Sequence, residues 1–477
     1  MKNYFLTACL LFSSFAVFAQ AGHIMQGVGA VNMSMGGAAT AQPLSIEGAL
    51  QWNPATLSGF DGKILSISVG GFFSSPELSS SLPADAMWPG SPAVNGTTED
   101  DRGMSIMPAL SFVWGKKGSK HTFGVSAFGI SGFGVTFNEE TNLPADAEGN
   151  PNPNWDPNNS NPISYPQSMN GFGHIESDYM LLQVGLAYSY AISDKFSIGL
   201  QPTFNYSALE LAPNPVASPS FPPPFGEGKG YPVAEKASAI GFGGQAGIFY
   251  DSGGVLKLGA SYKSKQYFGE FDFDQAYVDG SVAPNVSFKM NYPAIYSVGM
   301  GLSGKRIDFA LDFRLVDYEN TEGFGERGWQ MVYNEEYGMN VPTGAVNGFG
   351  WKNMTVLSIG LQYKITDRLP VRFGYTHSSN PIEDELAFFS IPATAVIENA
   401  AQFGLGYTIN DKMEVNAVYH YGFRGDGASG RLLNPSMITP SNPLGKVPGT
   451  SVSYDMETSM IQLNFVYKFG LADKKSE

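Results

Sequence analysis

Few side chains in this sequence have the types and spacing that bond-breaking chemistry needs. The five histidines (His23, His121, His174, His377 and His420) fall at no metal-ligand spacing. His420 and Asn416 share one face of a strand, which supplies two members of a Ser-His-Asn hydrolase set, but no partner serine is identifiable. The one cysteine, Cys9, comes before an apolar stretch is complete and is too early for a lipoprotein acceptor. Neither an enzyme, a cofactor nor a metal site is expected. What the chain does carry is cations on alternating strands (Arg314, Lys364 and Arg372), a glycine-dense run (Gly124, Gly129, Gly132 and Gly134) and a proline-rich apolar loop with Phe221 and Phe225. Such groups bind, bend and line rather than react, so their meaning depends on the elements that hold them.

Those elements are strands. Ile307, Phe309, Leu311, Phe313 and Leu315 alternate with Asp308, Asp312 and Arg314; Ile461, Leu463, Phe465 and Tyr467 alternate with Gln462, Asn464 and Lys468. A period of two puts side chains on opposite faces of a strand. Fourteen such runs are readable, at about 62–74, 104–116, 120–133, 178–192, 195–208, 237–251, 254–267, 292–303, 306–316, 353–366, 369–378, 399–410, 412–423 and 460–469. Short connections with turn chemistry (Lys117-Gly118-Ser119, Ser193-Asp194, Ser252-Gly253, Ser303-Gly304, Thr366-Asp367-Arg368, Asn410-Asp411) alternate with long ones at 75–103, 134–177, 209–236, 268–291, 319–352, 379–398 and 424–455. An even strand count with tight turns on one side and long loops on the other predicts an all-β, 14-stranded antiparallel transmembrane β-barrel of the outer-membrane type, with both termini in the periplasm.

Composition agrees. Charged residues make up only 15% of the chain and aromatics 13%, the latter clustered near strand ends at Tyr188, Tyr190, Tyr419, Tyr421, Tyr467 and Phe469, as interfacial girdles require. A soluble β-sandwich would instead expose a strongly charged second face. The net charge of −15 argues against nucleic acid as a partner. Lys2, the apolar stretch Phe5 to Val17 and the site Val17-Phe18-Ala19 read as a signal peptide over 1–19, which leaves a mature chain without cysteine. Residues 62–469 form the expected barrel and 470–477 a periplasmic tail. Fourteen strands leave a lumen too wide for wall side chains to fill. Residues 20–61, rich in Gly, Ala, Ser and Met and too apolar for a solvated tail, are expected to fill it as an N-terminal hatch.

Gln26-Gly27-Val28-Gly29, Met35-Gly36-Gly37-Ala38-Ala39-Thr40-Ala41 and Asn53-Pro54-Ala55-Thr56-Leu57 together resemble the N-terminal hatch of the FadL/TodX-type outer-membrane transporters of long-chain fatty acids and other hydrophobic compounds. The stretches Asp367 to Tyr375, Asn380-Pro381-Ile382, Ser390-Ile391-Pro392 and Phe403 to Tyr407 resemble that family's late strands. The sequence departs from the pattern at Ala393, where the family often has Asp. It departs again at Ala212 to Pro232, whose prolines forbid the helix such loops can carry.

The resemblance implies capture of hydrophobic molecules in an outer groove, passage to an internal pocket, and sideways release into the outer membrane through an inward kink of the third strand. Gly124, Gly129, Gly132 and Gly134 lie on that strand and either form the kink or merely accommodate curvature. Asn53, Pro54 and Ala55 are expected near the kink. Phe221 and Phe225, around three prolines, either line the groove or act as a stiff spacer. Arg314, Lys364 and Arg372 face inward, where they either hold an acid's head group or, the favoured reading, pair with lumenal carboxylates such as Asp308 and Asp312. The implied partners are long-chain fatty acids or other hydrophobic small molecules, mono-aromatic hydrocarbons included, together with outer-membrane lipid. A plugged barrel needs no trimer, which favours a monomer. A general diffusion porin, or a loop-mediated adhesin or receptor, is the alternative.

Overall fold

The computed structural model describes residues 22–469, apart from 117–118, 147, 224–225 and 337. The signal peptide and the start of the hatch, the turn residues Lys117 and Gly118, Phe225 with Pro224, and the tail 470–477 therefore lie outside the described residues.

Fourteen antiparallel strands close into one barrel. In chain order they are β1 (Lys63–Leu82), β2 (Met104–Trp114), β3 (His121–Phe137), β4 (Ile175–Ala191), β5 (Phe196–Ala212), β6 (Ala237–Asp251), β7 (Leu256–Lys263), β8 (Ala294–Ser303), β9 (Ile307–Asp317), β10 (Met354–Thr366), β11 (Leu369–Ser378), β12 (Asn399–Asn410), β13 (Met413–Gly422) and β14 (Ser451–Phe469). The seam is a continuous ladder from Lys63 opposite Phe469 to Ser81 opposite Ser451, so the first and last strands leave no free edge against each other.

Burial is inverted relative to a soluble protein. On β14, Ile461 and Leu463 are each 56% exposed, whereas Gln462 and Asn464 are buried. On β13, Tyr419 is exposed and Asn416 and His420 are buried; on β9, Phe313 is exposed and Asp308, Asp312 and Arg314 are buried. Apolar groups outside and hydrogen-bonding groups inside is what a strand between lipid and a filled lumen requires.

Several strands run further outward than their alternation suggests. β1 continues to Leu82, β3 to Phe137, β5 to Ala212, and β14 begins at Ser451. Beyond the lipid the outer face no longer has to be apolar, so runs such as Ser74 to Ser81 lose the period while keeping the ladder. There the end of β1 pairs with a short strand, Val94–Glu99. β7 is shorter than its apparent run: it stops at Lys263, Gln266 turns inward to accept from Thr203 and Asn205, and Tyr267–Phe268 pairs with β6 instead. Among the described residues the long connections hold β-hairpins and 3-10 turns but no α-helix; Trp329–Asn334 with Met339–Val346 forms one hairpin, and Asp384–Ala393 is a 3-10 stretch.

The chain from Gly22 to Leu57 lies inside the barrel and is almost wholly buried. Its two helices are α1 (Ala30–Ser34) and α2 (Ile46–Trp52), the second capped by Ser45, whose side chain accepts from the Gly48 N–H. Asn53 then caps a 3-10 turn over Pro54–Gly59, with Pro54 at its first position, where a missing N–H costs nothing. The segment is anchored by charge as well as by packing. One Asp312 oxygen accepts from the Ala39 N–H, the Thr40 N–H and the Thr40 hydroxyl, each at 2.8 Å, and Arg314 donates to the Gly37 carbonyl at 2.5 Å. On the opposite wall Glu47 is buried in α2 and accepts from Ser66 and from Asn464. Burial there pushes its carboxyl above the usual carboxylate range.

Candidate functional site

The barrel wall is incomplete in one place. β2 pairs with β1 along its full length, but with β3 only from Ala109 opposite Phe128 to Trp114 opposite Phe123. Above that level Met104 to Pro108 has no ladder to β3. The cause is a bulge: against β4 the register of β3 slips between Gly129 and Ser131, which puts the consecutive residues Ile130 and Ser131 both in the interior. The freed backbone groups of β3 find other partners, as buried amides must. Met25 N–H donates to the Ile130 carbonyl at 3.0 Å, Gly132 N–H to the His23 carbonyl at 3.1 Å, and Ile24 bridges Ser131. The start of the lumenal segment therefore serves as the inner pairing partner of the bulged strand.

The opening has an outer rim. Asp100 accepts from Thr136 N–H at 2.6 Å, Asp101 N–H donates to the Thr136 carbonyl, and Arg102 pairs with Asp178 on β4, which also holds Lys236 at 2.6 Å. Arg102 reaches β4 by crossing directly over Gly134, where any Cβ would collide with the guanidinium and with the Ser177 carbonyl. Glycine is required there for steric reasons.

A cavity of about 610 Å³ lies behind this opening, lined by Met107, Gly129, Phe133, Tyr179, Leu181 and Met456 among others. Its inner wall is an aromatic cluster around His23. Phe324 stacks on the imidazole at 4.5 Å, Tyr179, Tyr292 and Trp351 lie about it within 6.0 Å, and the Tyr318 hydroxyl meets Nδ1 at 2.8 Å. Burial pushes the His23 imidazole down to about 3, so it is neutral and packs as a ring. Nothing local in the sequence singles out His23; its cage is assembled from β3, β4 and two outer loops.

The predicted residues sort as follows. Gly129, Gly132 and Gly134 are at the bulge and the opening. Gly124 is not: it sits in the paired part of β3, against Leu50 and Leu57 of the lumenal segment. Asn53, Pro54 and Ala55 also correct the expectation that they lie near the kink. They press against the β4–β7 wall, where Ala55 accepts from Ser189 and Asn53 Nδ2 donates to the Ile248 carbonyl at 3.0 Å; Asn53 Nδ2 donates also to the Thr40 carbonyl of the segment itself at 2.8 Å. A Cβ at Gly247 of β6 would collide with Asn53 Oδ1. The reason is chain path: α2 carries the segment across the lumen, so its first residues, not its last, reach the bulge of β3.

The three cations predicted to face inward are each paired. Arg314 meets Asp312 at 2.6 Å, Lys364 meets Asp308 at 3.3 Å, and Arg372 meets Asn416 at 2.9 Å and Glu414 at 3.9 Å. His420 contacts Gln402 and Asn416 contacts Asn464, so both belong to the lumenal hydrogen-bond network. Phe221 packs near Gly344 of the Met339–Val346 strand. A separate apolar recess is built among the outer loops by Phe172, Pro215, Tyr231, Trp329, Phe388 and Pro392, which come from four connections and show no shared motif in the sequence.

The 379–398 loop covers the cavity from outside, with the Pro392 carbonyl accepting from Ser177 on β4. Its entry is held by Glu383, whose hydrogen bond from Lys352 and contact with Arg327 at 2.7 Å keep its carboxyl below the usual range. A lowered native pKa means the anchor is fully present above the free carboxyl's pKa and is lost as pH falls through the lowered value. Hydrogen exchange over Asp384–Ala393, corrected for intrinsic rates, should rise about two- to fivefold in Glu383→Gln at neutral pH, as befits a part-exposed ion pair. In the unmodified protein the same rise should come only on acidification.

A closed 14-stranded barrel that holds its own N-terminal segment in the lumen, with one ladder cut short at a bulged strand, defines an outer-membrane barrel of the plugged class. The chain matches the family described as outer membrane protein transport protein (OMPP1/FadL/TodX) over residues 164–469, and it belongs to that family. The fold is shared with the Pseudomonas putida toluene transporter TodX (17% identity, TM-score 0.63, 94% of this chain and 100% of that one). It is shared also with a Pseudomonas aeruginosa FadL homologue (15% identity, TM-score 0.65, 94% and 100%) and with the Ralstonia pickettii toluene transporter TbuX (16% identity, TM-score 0.58, 93% and 99%). A search of the curated proteins finds no match. The protein is an outer-membrane transport protein, not an enzyme.

Proposed function

We propose that the protein carries long-chain fatty acids inward by capture in the apolar recess of the outer loops, transfer to the cavity beside His23, and release sideways between β2 and β3. The observation that carries this reading is the missing ladder between Met104–Pro108 and the bulged β3, with a cavity directly behind it. An apolar solute leaving there enters lipid without crossing water. Residues 20–61 act as the hatch that denies the axial route to water and ions, and one barrel is a complete transporter. Monoaromatic hydrocarbons are the second cargo to consider, since the similar structures include toluene transporters and a monoaromatic hydrocarbon channel, and His23, Phe133 and Tyr179 line the cavity here.

The test is uptake of labelled oleate by cells making the full protein or one lacking residues 20–61. Saturable uptake by the full protein, replaced in the deletion by steady aqueous conductance, is the expected result. Steady conductance in the intact protein, without saturable uptake, would identify a general porin.

A further inference from the structure

Three cations are buried in the described lumen: Lys263, Arg314 and Arg372. Arg314 and Arg372 have the carboxylate partners given above. Lys263, on β7, has none among the described residues: its Nζ touches the neutral Gln183 Oε1 at 3.3 Å and lies 5.8 Å above the Trp52 ring. The nearest other charge is repulsive in sign, because Arg314 stacks on the same indole at 3.8 Å. A buried cation without an anion is costly, and a cation–π contact at this distance offsets only part of it.

The surroundings are polar and incompletely satisfied. Gln201, Gln245 and Lys263 form one cross-strand row, since Gln201 faces Gln245 and Gln245 faces Lys263. Both side-chain polar atoms of Gln201, the Gln245 Oε1 and the Trp52 Nε1 have no hydrogen-bond partner. Gln183, which Lys263 touches, leads from this row toward the cavity. Leu181 lines it, and Gln183 is the next inward residue on β4, about 7 Å along the strand.

We infer that Lys263 is the head-group site for a monoanionic amphiphile, a carboxylate whose apolar tail lies in the cavity against Leu181, Met107 and Phe133. The carboxylate replaces the weak Gln183 contact with a charge-assisted one. The orphaned Trp52 and Gln201 donors on either side supply further hydrogen bonds. This rests on the transport reading and narrows it, because a hydrocarbon has no use for a buried ammonium.

The test is binding of oleate and of oleyl alcohol to the purified full chain and to Lys263→Met and Lys263→Gln, each confirmed as a folded barrel by its mobility on unheated gels. The two ligands share a tail and differ in charge. The native protein should prefer oleate, and both variants should lose roughly 10- to 100-fold of oleate affinity while binding the alcohol as before. An unchanged oleate-to-alcohol ratio, an equal loss of both ligands, or a native preference for the alcohol would overturn the assignment. Binding of neither ligand by the native protein would instead overturn the transport reading on which it stands.

Discussion

Asp312→Ala is expected to turn a quiet barrel into a conducting one. A single carboxylate oxygen at this site satisfies two backbone N–H groups and one hydroxyl of the lumenal segment and also neutralises Arg314. Its removal leaves Arg314 buried without a counter-charge and the Ala39–Thr40 backbone without this acceptor. Breaking a buried pair from one side typically costs about 3–5 kcal/mol, which shifts the seated-to-released balance of the segment by a factor of roughly 10² or more. The barrel ladders do not involve this side chain, so the wall should persist. Planar-bilayer recording is the check: long-lived openings in the variant against rare ones in the native protein. Silence from a correctly folded variant would mean that α2 and its Glu47 contacts suffice to hold the segment.

Gly129→Arg should have the second large effect, in the opposite direction. A Cβ there would stand 3.7 Å from Pro108 Cδ and 3.8 Å from Met107 Sδ, ordinary contact distances, so the backbone tolerates a side chain. That side chain has to extend across the opening between β2 and β3. Obstructing an exit slows turnover without removing the groups that bind cargo, so uptake should fall by roughly tenfold or more while oleate affinity changes little. Equal losses of uptake and affinity would place the exit elsewhere. The two variants separate the axial route from the lateral one, because the first should raise ion flow and the second should lower cargo flow.

The location of these two sites was unequally legible. Asp312 and Arg314 could be placed facing inward from alternation alone, and their pairing was foreseeable because a charge facing a crowded lumen needs a counter-charge. The opening was foreseeable only as a glycine-dense third strand. Glycine content signals where backbone can deform, but not the level at which it does, and Gly124 and Gly129 look alike in sequence while one is paired and the other stands at the break. The misplacement of Asn53, Pro54 and Ala55 has a related origin. Their caps and turn are local and readable, but which wall they meet depends on how far α2 carries the chain across the lumen. His23 and Lys263 were not recognised as site residues because their environments come from strands and loops far apart in the chain.

The sequence by itself determined the barrel: strand count, faces, turn sides and the presence of an apolar segment ahead of the wall. Lipid outside and a filled lumen inside impose a period of two on the lipid-facing part of the strands, and turn chemistry is local. Only the tertiary structure decided where the wall opens, which lumenal cation is left unpaired, and what the first residues of the segment touch. Those depend on register and on contacts between residues hundreds of positions apart, such as Tyr318 with His23, and no local pattern encodes them.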